Sequence, residues 1–176
     1  LSAPDQLPQI EATATDEDLA LVLRHLTPLT DADRAALTSF ASQHGVRWFL
    51  QPGGPASVYP LTPGDDRALS YRLDAFDLHI EFGPLDFTQV NFAINQQLVP
   101  LAVDLLAPQS GEQVADPFCG VGNFSLALAR RGARVLGLEG DDALVARARY
   151  NARRAGLAGQ CSFERANLYD DAPAVL

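Results

Sequence analysis

Apolar and polar positions alternate with period two over residues 9–15, break at Asp16-Glu17-Asp18, and give way to a nearly continuous apolar run over 19–26; this pattern predicts a β-hairpin. A helix should follow. Thr30 stands where an N-cap belongs, Asp33 lies three residues on, Ala36, Leu37 and Phe40 keep helical spacing, and Gly45 suits a left-handed C-cap. Four strand-like segments come next, at 47–50, 57–61, 68–73 and 78–82, parted by Pro, Gly and Asp turns. Residues 1–83 therefore read as a small α+β unit.

From Gln89 the texture changes. Helical spacing over 95–106, 123–131 and 141–155 alternates with short apolar runs at 112–116, 134–138 and 161–165, which is the signature of a parallel α/β sheet. Residues 84–176 are assigned to this second unit, and Gly156 is expected to end its third helix. The run at 112–116 should be central in a complete sheet of this topology. The strand that would flank it is missing here, so its open edge should be covered by another molecule, by a swapped element or by disorder.

Composition narrows the function classes. No run approaches the length of a membrane span, and the N-terminal Leu1-Ser2-Ala3-Pro4-Asp5 has neither the basic nor the apolar region of a signal peptide, so a soluble cytoplasmic protein is expected. The chain has no methionine and stops soon after Asp171, and it reads as an excised piece. Its net charge of −9 argues against a tight electrostatic grip on nucleic acid by this piece alone. Cys119 and Cys161 form no disulfide or metal pattern and read as packed core residues. His25, His44 and His79 lie in separate elements, and no metal is assigned. Arg147, Arg149, Arg153 and Arg154 on one helix read as a solvated face paired with acids, and Trp48 and Phe49 as core.

The chemistry concentrates at Asp116-Pro117-Phe118-Cys119-Gly120-Val121-Gly122-Asn123-Phe124, between a strand and a helix, where Gly120 and Gly122 allow a tight turn and let a ligand approach the backbone. Glu139 follows the next strand directly, at the place where a carboxylate can accept both hydroxyls of a ribose. A dinucleotide loop would want a third glycine where Ser125 stands. The carboxylate of Asp116 would repel a pyrophosphate but attract an ammonium. S-adenosyl-L-methionine carries that ammonium, and NAD is disfavoured.

With these residues in place the chain resembles the RNA uracil-5-methyltransferases, and within them the bacterial branch acting on 23S ribosomal RNA. The resemblance rests on Asp86-Phe87-Thr88-Gln89-Val90-Asn91 with Asn95-Gln96, on the stretch from Asp116 to Phe124, and on Leu138-Glu139-Gly140 leading to Asn151-Ala152-Arg153. Ala166-Asn167-Leu168 adds less. Pro117 departs from the Leu more usual at its position.

The resemblance implies the first half of a class I, Rossmann-like methyltransferase sheet preceded by a small α+β unit. It implies S-adenosyl-L-methionine as cofactor and 5-methyluridine in 23S rRNA as product. It places Gln89 near the methionine carboxylate, Phe118 as an apolar wall, Asn123 as a helix cap beside the loop, Glu139 on the ribose and Asn167 near adenine. It also implies a cysteine nucleophile and a glutamate base, both expected beyond Leu176, so the piece itself should be inactive. An N-terminal RNA-binding and iron–sulfur part is likewise expected outside it. The same chemistry on transfer RNA, and a non-catalytic RNA- or partner-binding module, remain alternatives.

Overall fold

The computed structural model describes residues 1–15, 17–65 and 67–169. Asp16, in the predicted hairpin turn, and the C-terminal stretch from 170 lie outside the described residues. Two compact units emerge, one of Leu1–Leu69 with Gly83–Leu85, the other of Ser70–Phe82 with the chain from Asp86 onward.

In the first unit β1 (Gln9–Ala14) and β2 (Leu19–Arg24) pair antiparallel, from Gln9 opposite Arg24 to Ala14 opposite Leu19. β3 (Val46–Gln51) then adds parallel to β2, and the two-residue β4 (Tyr59–Pro60) closes the sheet in the order β1-β2-β3-β4. The parallel step requires a crossover, and α1 (Asp31–His44) supplies it. Both predicted signals are present at its ends. Thr30 and Asp33 form a reciprocal capping box, and Gly45 adopts the left-handed conformation at φ 65°. Leu37 of α1 joins Leu23, Val46, Trp48, Leu50 and Leu61 in one core. Trp48 and Phe49 are buried, as expected. Arg47 is also buried, with its guanidinium bound to Asp18, to both oxygens of Asp65 and to the Arg67 carbonyl. The predicted strand at 57–61 is instead the end of a 3-10 turn, Pro55–Ser57, followed by β4; the Ser57 amide donates to the Gly54 carbonyl and the Ser57 hydroxyl accepts the Gly53 amide, which holds Ser57 in the turn.

In the second unit β5 (Leu69–Leu73) pairs with β6 (Leu78–Phe82). α2 (Phe92–Leu106) starts three residues before its predicted origin at Asn95, because the Asn91 side chain accepts the Ile94 amide and opens the helix there. β7 (Gln113–Pro117), α3 (Asn123–Arg130), β8 (Arg134–Glu139), α4 (Asp142–Arg154) and β9 (Cys161–Arg165) alternate in a parallel sheet of order β7-β8-β9. Pro117 lies opposite Leu138 and Glu139 opposite Arg165, so the carboxyl ends of the strands are level. Among the described residues β7 pairs with β8 alone.

The contact boundary differs from the one drawn at 83/84, since Ser70–Phe82 packs with the second unit. The reason is polar as well as apolar. Asn151 of α4, with no exposed surface, accepts the Glu81 amide and donates to the Glu81 carbonyl at 3.0 and 2.9 Å. Arg154 pairs with Glu81, and the Arg130 guanidinium takes the carbonyls of Phe76 and Asp77. A strand pattern shows that a segment is extended; it does not show against which helix it packs.

Candidate functional site

The β7–α3 connection is a short loop in which Phe118, Gly120 and Gly122 all have positive φ, at 60°, 55° and 96°. Gly122 needs hydrogen in place of a side chain for two reasons, since a Cβ there would strain the backbone and come within 3.3 Å of Leu126. The loop folds back on the tip of β8: the Cys119 amide donates to the Leu138 carbonyl at 3.0 Å and the Gly120 amide to Glu139 Oε2 at 3.1 Å. Glu139 also accepts the Gly140 amide at 2.7 Å and the Asp141 amide at 3.3 Å on Oε1. Three backbone N–H groups thus fix a half-buried carboxylate that keeps lone pairs for a ligand.

A cleft of about 560 Å³ opens at these strand tips, lined by Phe118, Glu139, Gly140, Arg165, Asn167 and Tyr169 among others. Phe118 is 60% exposed and meets the Tyr169 ring edge-on at 5.9 Å, which gives the cleft an aromatic wall. The Asn167 side-chain oxygen Oδ1 accepts the Tyr169 amide at 3.2 Å, an Asx-type turn that shapes the far rim. On the other side of Phe118 lies a smaller recess of about 90 Å³, bordered by Tyr71, Gln89, Phe118, Gly120 and Asn123. Gly120 faces open space, since a Cβ there would meet nothing within 4 Å.

The sequence-predicted residues therefore divide. Phe118, Glu139 and Asn167 share the larger cleft; Gln89, Gly120 and Asn123 share the recess with Phe118. Asp116 lines neither. Its Oδ2 accepts the buried Ser125 hydroxyl at 2.5 Å, and burial raises its pKa despite that bond. Asn123 does not cap α3, because Gly122 holds the N-cap position and no side chain caps there. Its amide is engaged elsewhere: Oδ1 accepts the Tyr71 hydroxyl at 2.8 Å and Asn95 Nδ2 at 3.0 Å, while Nδ2 donates to Asn95 Oδ1 at 3.0 Å. Tyr71 and Asn151 were missed in the sequence as parts of this neighbourhood. Asn151 Nδ2 donates to the loop carbonyl of Val121 at 3.1 Å. The signal was an asparagine amid the apolar positions of a helix, with Val145, Ala148 and Ala152 around it.

Both cysteines are buried, with thiols pushed up to about 12 for Cys119 and about 11 for Cys161, chiefly by burial. Three of the α4 arginines turn to local partners, Arg147 to Asp86, Arg149 to the Phe163 carbonyl and Arg154 to Glu81. Among the described residues no cluster of His, Cys, Asp or Glu could hold a metal ion, and no helix is long and apolar enough to cross a membrane.

The family model for tRNA (uracil-5-)-methyltransferase matches residues 69–160, from β5 to the residue before β9. The chain belongs to this family. This methyltransferase-family chain is 52% identical over 97% of its length to the 23S rRNA (uracil(1939)-C(5))-methyltransferase RlmD of Aromatoleum aromaticum. It is 49% identical, again over 97%, to the enzyme of the same name from Bordetella pertussis. It spans 39% and 36% of the lengths of those two relatives. Two solved structures share its fold. The tRNA (uracil-54, C5)-methyltransferase of Pyrococcus abyssi, in complex with S-adenosyl-L-homocysteine, aligns at TM-score 0.63 and 19% identity over 90% of this chain and 38% of its own. TYW2 of P. horikoshii aligns at TM-score 0.58 and 17% identity over 94% of this chain and 58% of its own. The fold is the Rossmann-like methyltransferase architecture expected of the α/β unit.

Proposed function

We propose that this chain carries the cofactor pocket of an S-adenosyl-L-methionine-dependent methyltransferase that forms 5-methyluridine in 23S ribosomal RNA. The observation that carries the reading is the cleft at the strand tips, in which a carboxylate pinned by three amides faces an aromatic wall, in a chain 52% identical to enzymes named for that reaction. The residues fit the cofactor in size and polarity. Glu139 would accept the ribose hydroxyls, Asn167 would meet adenine beside the Phe118 ring, and Gln89 would reach the methionine carboxylate from the recess. Asp116 lines neither cavity and its carboxylate holds the Ser125 hydroxyl, so it would act on an ammonium only as a nearby charge at the tip of β7, and Gly120 leaves its side of the loop open. Bound there, the cofactor supplies an electrophilic methyl group on a sulfonium.

Uracil C5 becomes nucleophilic when a thiolate adds at C6. Cys119 and Cys161 are both buried, neither lines the cleft, and burial raises both thiols, so neither is that nucleophile on this reading. RNA as substrate and a cytoplasmic location belong to the same proposal, as does an RNA-facing role for the first unit. So does coverage of the open β7 edge by a further strand or molecule. Methylation of transfer RNA is the second reading, favoured by the description of the family model. The identity to enzymes named for ribosomal RNA favours the first.

Titration calorimetry with S-adenosyl-L-homocysteine tests the pocket: the chain should give saturable heat, and Glu139→Ala should bind at least about tenfold more weakly, as expected for removing hydrogen bonds to a charged group. Absence of heat from the unaltered chain would sink the reading. Tritium transfer from labelled cofactor by the full-length protein, to 23S rRNA lacking 5-methyluridine or to unmodified tRNA, decides the acceptor.

A further inference from the structure

The loop from 118 to 122 carries three left-handed residues, of which Phe118 is not glycine, and a non-glycine residue persists there only where its surroundings over-determine it. One side is held by β8, through Leu138 and Glu139. The other side is held by groups outside the glycine motif. Tyr71 on β5 is 5% exposed, its ring stacks on Phe92 of α2 at 5.3 Å and 23° and tilts against Phe82 at 5.9 Å, and its hydroxyl reaches Asn123 Oδ1 at 2.8 Å. Asn95 of α2, 2% exposed, closes a reciprocal amide pair with Asn123 at 3.0 Å in each direction. Asn151 fastens Val121, the residue between the two loop glycines, and is itself anchored on both backbone groups of Glu81 in β6. The second and third of these anchors are amides with complementary donors and acceptors, so each satisfies buried groups in two elements at once.

On the proposed reading of the cleft, we infer that Tyr71 is a positioning residue of the cofactor site, holding Asn123, and with it the loop that presents Phe118 and Gly120, in the binding geometry. Tyr71 borders the recess beside Gln89, but its hydroxyl is spent on Asn123, so its action on a ligand is indirect. Burial pushes the phenol pKa up, which keeps it a donor throughout the pH range in which the chain would be assayed. The pair β5–β6 thereby acquires a purpose beyond packing: one strand carries the Tyr71 anchor and the other the Glu81 anchor of Asn151.

The test compares the unaltered chain with Tyr71→Phe, Asn95→Ala, Asn123→Ala, the double variant Tyr71→Phe/Asn123→Ala, and Glu139→Ala. S-adenosyl-L-homocysteine affinity is measured by calorimetry at a temperature where circular dichroism shows every variant folded. Tyr71→Phe keeps the ring and removes one hydrogen bond, so its affinity should fall about three- to tenfold, the range of a single neutral hydrogen bond. The double variant should fall no further than Asn123→Ala alone, because both changes cut one link. Amide exchange of Gly120 to Asn123 should quicken in Tyr71→Phe while that of β9 stays unchanged. A merely structural role would lower the melting temperature and leave the affinity of the folded protein unaltered, and that result overturns the inference. If the unaltered chain fails to bind, or Glu139→Ala binds as well as it does, the cofactor reading itself has failed. If Glu139→Ala loses binding while Tyr71→Phe keeps it, only the role of Tyr71 is refuted.

Discussion

Gly137, in the middle of β8, is the position at which the packing of the second unit can be tested most sharply. An alanine Cβ there would lie 2.5 Å from Phe163 Cδ1, 2.7 Å from its Cε1 and 2.9 Å from Cys119 Sγ. Ordinary carbon contacts are at about 3.5–4.0 Å. The Phe163 ring is 2% exposed and cannot swing into solvent, while Cys119 is tied through its amide to the Leu138 carbonyl. Two effects oppose each other. Replacing glycine with alanine in a permitted strand conformation stabilises by about 0.4–1 kcal/mol through the unfolded chain. Overpacking a closed core costs about 1–3 kcal/mol. The clash wins, by about 1–2 kcal/mol with those ranges. Each kcal/mol moves the melting temperature of a chain of this size by about 2–4 °C, so Gly137→Ala should melt about 2–8 °C lower. Differential scanning calorimetry of Gly137→Ala, Phe163→Leu and the double variant checks this. Phe163→Leu alone leaves a void, but in the double variant the added methyl occupies part of it, so the two losses should sum to more than the observed loss. A Gly137→Ala variant that melts at or above the parent would refute the account of this core.

Two further predictions concern other places in the chain. Asp33 accepts hydrogen bonds from the Ser2 hydroxyl and amide and from Thr30, bonds that hold its carboxyl well below its ordinary pKa of 3.8. A depressed carboxyl stabilises the fold above the unfolded-state value, and this contribution is lost as pH falls below 3.8; urea midpoints should therefore drop over that acid range, and less so in Asp33→Asn. At Phe118, glycine should leave the melting temperature unchanged or raise it, because relief of about 1–2 kcal/mol of left-handed strain offsets the added freedom of the unfolded chain. Calorimetry should show S-adenosyl-L-homocysteine bound about tenfold more weakly by Phe118→Gly as the wall of the cleft is lost, and affinity equal to the parent's would contradict the placement of that ring.

The second unit was legible because its signals are local. Apolar runs, caps and glycines alternate at fixed offsets, and Asp141 and Gly156 each sit within a turn of the helix they bound, as the capping box at Thr30 does in the first unit. Glu139 and the glycine loop were legible together, since a strand–loop–helix order puts both at the same sheet end. What escaped is non-local. Nothing in 70–82 marks these strands as partners of α3 and α4, and the apolar pattern of β5 gives no hint that the Tyr71 hydroxyl meets Asn123, 52 residues on. The resemblance implies a cap's role for Asn123, and asparagine does cap helices well. Gly122 already occupies that position, and Asn95 and Tyr71 offer Asn123 better-matched partners.

The division between cleft-lining and loop-holding residues follows from an energetic constraint. A non-glycine residue in the left-handed region costs about 1–3 kcal/mol, which the chain tolerates at Phe118 only if the neighbouring backbone is fixed. Four peptide groups of the loop meet partners: the Cys119 amide on Leu138, the Gly120 amide on Glu139, the Gly122 amide on the Cys119 carbonyl, and the Val121 carbonyl on Asn151. With those groups satisfied internally, the backbone is fixed and the Phe118 ring stands 60% exposed over the cleft. Glu139 belongs to both sets. One of its oxygens holds the loop and the other the start of the turn into α4, so a ligand that engages this carboxylate meets a loop already set in place, and little of its binding energy is spent on ordering it.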